Sequence, residues 1–88
     1  MFDERSGRHL HGPAWAKRYR GATGMFRYDL ASDIQVTIYD SDPFWLAVFL
    51  VNAEPVAGES CIVDHESWVT RTRADADFLN RLRKLIPA

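Results

Sequence analysis

An α+β fold follows from three features of the sequence: an alternating stretch from Asp33 to Asp40, an apolar run from Phe44 to Val51, and an amphipathic stripe near the C-terminus. Alternation with period two marks a strand buried on one face, and apolar residues at helical spacing mark a helix laid on a core. The expected architecture is a small antiparallel sheet of three to four strands, with a C-terminal amphipathic helix on one face and a short N-terminal helical or extended arm.

Residues 1–12 read as a flexible basic arm and residues 13–88 as one α+β domain. Pro13 suits the first turn of a short helix that runs to Arg20 and stops at Gly21. Trp15 and Tyr19 share one side of it. Gly21 and Gly24 mark a turn before a strand over Met25 to Leu30. In the next strand Ile34, Val36 and Ile38 take one face, and Gln35, Thr37 and Tyr39 the wetter one.

Phe44 to Val51 follows Asp42-Pro43, a helix-start signal, but its length and its Phe, Trp and Val content favour a central strand buried on both faces. Cys61 to Thr70 is expected to pair with it. Thr72 and Asp75 resemble a capping box opening the last helix, Arg73 to Ile86. There Phe78, Leu79, Leu82, Leu85 and Ile86 form the stripe, opposite Asp77, Arg81 and Lys84. One helix covers one face only, so the apolar strand requires a second cover: the segment with Trp15 and Tyr19, or another copy of the chain.

At 88 residues the chain supports a thin core, which makes self-association a reasonable stabiliser. A single cysteine, Cys61, forms no internal disulfide, and no apolar leader opens the sequence. A reducing, cytoplasmic setting is expected. No apolar run is long enough for a membrane-spanning helix.

The net charge of −1 conceals a division along the chain. Residues 1–27 carry six basic and two acidic side chains, residues 28–70 carry eight acidic and no Lys or Arg, and residues 71–88 carry five basic and two acidic. Either the basic ends fold back to neutralise the acidic middle, or one charged surface faces a partner.

Asp64, His65 and Glu66 are the most tempting catalytic cluster, with two carboxylates on one face of a strand able to orient a water. A solvated face explains them more simply, and no catalytic residue is assigned. His9, His11, Cys61 and His65 lack the spacing of a zinc site, so no metal is assigned either. No phosphate-binding glycine loop supports a nucleotide cofactor. Cys61 reads as a small core residue.

The leading expectation is a non-enzymatic interaction or regulatory module, self-associating as a homodimer through Trp45, Phe49 and Trp68. The first alternative is a binder of RNA or single-stranded nucleic acid using Trp15, Lys17, Arg18, Tyr19 and Arg20, whose aromatics stack on bases while the cations meet phosphates. A small enzyme built on residues 64–66 is the second. An acidic face of Asp33, Asp40, Asp42, Asp64 and Glu66 further suggests a basic protein partner.

Overall fold

The computed structural model describes residues 2–3 and 8–85, apart from the side chains of Phe2, Asp3 and Cys61. Its strands are β1 (Phe2–Asp3), β2 (Arg8–His11), β3 (Phe26–Asp29), β4 (Ile34–Ser41), β5 (Phe44–Val51) and β6 (Glu54–Ile62). The helices are α1 (Pro13–Ala16), continued by a 3₁₀ turn over Lys17–Tyr19, then α2 (His65–Arg73) and α3 (Ala76–Arg83). The protein is α+β, with an open antiparallel sheet in the order β1-β2-β6-β5-β4-β3. Five strands form its body, and the two-residue β1 extends one edge.

Strands β3 to β6 form a meander because successive antiparallel strands need only tight turns, and β2 returns to pair with β6. Leu30 N–H donates to Ile34 O, closing the β3–β4 turn, and a cis Asp42–Pro43 peptide joins β4 to β5. Asn52 and Ala53 join β5 to β6 with positive φ at both positions, 49° and 68°, the backbone of a two-residue hairpin turn. Register sets the faces. Val36 opposes Phe49, Ile34 opposes Val51 and Ile38 opposes Ala47, and all six side chains are buried beneath α2 and α3. Phe49 meets Trp68 at 5.6 Å and Phe78 at 5.3 Å between ring centroids.

The other face also has a cover, supplied by the chain itself. Trp15 lies so close over Gly58 that a Cβ there would fall 1.8 Å from Cζ3, so only glycine admits the indole. Tyr19 packs on Tyr39 at 5.0 Å. The expectation of a β5 strand buried on both faces is met in part: on the second face Val48 is buried, with Trp15 and Tyr19 lying over the flanking strands, while Leu46 and Leu50 are half-buried.

Several elements differ from the sequence reading. The partner of β5 is β6, over Glu54–Ile62, rather than Cys61 to Thr70. Pro55 and Gly58 are poor strand residues, yet the ladder takes up Pro55 opposite Leu50 at a register shift. Residues 65–73 form α2, whose Trp68, Val69 and Thr72 are buried; β-branched and aromatic content suggested a strand, and tertiary packing overrides it. The C-terminal helix, expected over Arg73 to Ile86, is α3 over Ala76–Arg83, separated from α2 at Ala74, with Asp75 capping it by accepting from Phe78 N–H at 3.1 Å. Thr72 lies inside α2 and caps nothing. Ile86 lies outside the described residues. Residues 8–11, expected in a loose arm, are strand β2, anchored by buried Leu10 opposite Glu59.

Among the described residues no helix is long and apolar enough to cross a membrane.

Candidate functional site

Two places combine unusual chemistry with access to solvent. The first is a cavity of about 430 Å³ between the β2–β6 edge and α2, lined by residues that include Arg8, His9, Glu59, Arg71 and Asp75. Arg8 Nε lies 2.9 Å from Glu59 Oε1, with both side chains almost wholly removed from water. Arg8 also donates to Thr72 Oγ1 at 2.5 Å, and its guanidinium sits 4.1 Å from the Phe78 ring centroid. Trp68 Nε1 donates to Glu59 Oε2. The charged groups at the base of the cavity are thus engaged with one another, an arrangement that fixes the β2 edge to α2.

The second place is one end of the sheet. Among the described residues the exposed large hydrophobic side chains are Met25, Phe26, Phe44 and Val63, at 58, 41, 41 and 75 % exposure. They are far apart in sequence, yet β3 begins, β5 begins and β6 ends toward the same end of the ladder, with Phe26 on the face of Trp45 and Phe44 on the other face. Phe26 and Trp45 meet there at 5.9 Å, and His65, at the start of α2, joins both: it stacks on Phe26 at 4.9 Å and tilts against Trp45 at 4.6 Å. The Tyr28 hydroxyl lies 3.4 Å from His65 Nδ1, within hydrogen-bond reach. These rings form a platform that is apolar in its middle and open to solvent.

Of the three residues expected at a subunit interface, only Trp45 borders this platform. Phe49 and Trp68 are interior, sealed between sheet and helices within one chain. Their aromatic character signalled burial of either kind, and the unread helix α2 hid which.

The residues of the nucleic-acid alternative lie together but face different ways. Trp15 and Tyr19 press on the sheet, Trp15 also stacking on His11 at 4.5 Å, while Lys17 and Arg18 are exposed. Arg20 is paired with Glu54 at 2.5 Å. Burial first, then the charge of His9, hold His11 below the ordinary imidazole range. Ser60 Oγ and His11 Nε2 share a hydrogen bond of 3.1 Å.

Asp64, His65 and Glu66 do not alternate along a strand, because they start α2. Asp64 is the helix cap: its carboxylate accepts from Ser67 Oγ at 2.9 Å and from Ser67 N–H at 3.3 Å. Those bonds hold its pKa below the usual aspartate value. Among the described residues no three histidine, cysteine, aspartate or glutamate side chains converge as a metal site. The side chain of Cys61 lies outside the described residues.

The five acidic residues expected on one face separate into two groups. Asp33 stands at the β3–β4 turn, in an ion pair of 2.7 Å with Arg83 that lowers its pKa. Asp40 and Asp42 stand at the opposite end of β4, where Asp64 and Glu66 also lie beside His65.

No protein-family model, no curated protein and no solved structure matches the chain.

Proposed function

We propose that the protein is a non-enzymatic interaction module that binds another protein through the apolar end of its sheet. The observation that supports this reading is the platform of the Phe26, Trp45 and His65 rings, at the end of the sheet where Met25, Phe44 and Val63 are also exposed. Scattered exposed apolar residues are ordinary on a protein surface, but a contiguous aromatic patch is the signature of a surface that is covered in use. Aromatic and methionine side chains are also those enriched at interface centres.

The polar cavity gives less support to an enzyme. Arg8 and Glu59 are bound to each other, and Asp64 serves α2 as a cap.

Site-directed photo-crosslinking in the cells that make the protein tests the proposal. A photoreactive phenylalanine analogue at position 25 or 44 is expected to give a discrete crosslinked protein, and the same analogue at exposed Ser32, at the other end of the sheet, none. Absence of product at 25 and 44, or equal yield at 32, overturns it.

A further inference from the structure

The proposal above leaves the partner's chemistry open, and the charge around the apolar end addresses it. Apart from Glu59, which Arg8 engages in the interior, the acidic middle of the chain is neutralised at one end of the sheet. There Asp33 is paired with Arg83 and Glu54 with Arg20, and Arg73 Nε donates to the Asp29 carbonyl. At the apolar end Asp40, Asp42, Asp64 and Glu66 flank the platform: Asp40 opposes Trp45, Asp42 precedes the turn into Phe44, and Asp64 and Glu66 bracket His65. Among the described residues none of these four is ion-paired with a lysine or arginine. Arg71, five residues beyond Glu66 on α2, lines the same groove as Glu66, while Arg27 falls on the sheet face opposite to that of Asp40 and Trp45, opposite Thr37 and beside Tyr39.

Resting on that proposal, we infer that the apolar end takes a basic segment of another protein, whose apolar residues sit on Met25, Phe26 and Phe44 while its Lys or Arg side chains meet Asp40, Asp42, Asp64 and Glu66. An apolar centre with a rim of one sign selects a partner of opposite sign, because like charges brought together at a desolvated interface are costly. A second copy docking by the same end would set four carboxylates against four. Nucleic acid would meet the same repulsion. The Phe26 ring, stacked on His65 yet part exposed, and the half-buried Trp45 add a site on which a guanidinium can rest.

The test is selection of a random dodecapeptide display library on the intact protein at low salt. Enriched peptides are expected to carry Lys or Arg interleaved with apolar residues. A selected peptide, made synthetically, is expected to lose at least tenfold in affinity for the D40N/D42N/E66Q variant and to weaken similarly between 50 and 500 mM salt, of order tenfold for a few screened ion pairs. Asp64 is left intact so that the cap of α2 survives.

If enriched peptides are neutral or acidic, yet lose binding with Phe26→Ser and Phe44→Ser, the apolar docking surface stands and the basic partner is overturned. If no peptide is enriched, or binding is indifferent to both serine variants, the docking surface itself falls. Circular dichroism of each variant verifies that the fold is retained.

Discussion

Trp68 donates its indole N–H to the carboxylate of Glu59 in the interior of the chain, on the same carboxylate that Arg8 engages from β2. One acidic side chain thereby links an edge strand, a central strand and a helix. Removing one member of such a group leaves another buried without its partner, which costs far more than the linkage contributes.

Arg8→Met is accordingly expected to destabilise the protein by about 3–5 kcal/mol, since it strands the Glu59 charge. Combining it with Glu59→Gln, which keeps an acceptor for Trp68, is expected to recover most of the loss. Urea denaturation of both variants provides the measurement. A double variant as unstable as the sum of its single changes would show that Arg8 and Glu59 act independently.

Gly58 is expected to tolerate no side chain, because an added Cβ would fall inside the Trp15 ring. Gly58→Ala should cost about 1–3 kcal/mol by overpacking or by expelling the indole. In a Trp15→Ala background the same change should cost much less. Thermal melts of the four proteins complete the cycle, and equal penalties in both backgrounds would remove Trp15 as the cause.

Ala53 occupies the left-handed region at φ 68°, where a Cβ crowds the following carbonyl and glycine does not. Ala53→Gly should stabilise the β5–β6 hairpin by about 0.5–1 kcal/mol, the relief of strain exceeding the added chain entropy. Chemical denaturation measures this directly. An unchanged or lower midpoint contradicts it.

Acid should loosen the contact between the β3–β4 turn and α3. Hydrogen bonding to Arg83 lowers the Asp33 pKa in the folded protein, so its contribution is present above the ordinary aspartate value, about 3.9, and is lost as pH falls through the lower folded value. Asp33→Asn should therefore be less stable than the parent at neutral pH, with the difference vanishing toward pH 2. Melting temperatures across that range test the sign. A gap that widens in acid would refute the assignment.

The outline of the fold was legible where a residue pattern and its environment agree. Ile34, Val36 and Ile38 alternate and are all buried, and Phe78, Leu79 and Leu82 keep helical spacing and are all buried. The misread elements are those in which local chemistry points elsewhere. Pro55 and Gly58 look like loop residues, yet one sits at a register shift and the other makes room for Trp15. Trp68, Val69 and Thr70 favour strands by propensity, while Asp64 three residues ahead of Ser67, a capping signal, passes for part of a solvated strand face. The apolar end was less legible still. Met25, Phe26, Phe44 and Val63 mean little until strand order and register are known, and only Trp45 among the expected interface residues belongs to it.

The same dispersal along the chain has a consequence for quality control. Phe26, Trp45 and His65 become neighbours only once β3 through β6 are paired and α2 has nucleated beside them. No nascent fragment or unravelled chain displays the composite epitope. A ligand that grips it discriminates finished molecules from incomplete ones, and by mass action draws the population toward the native state.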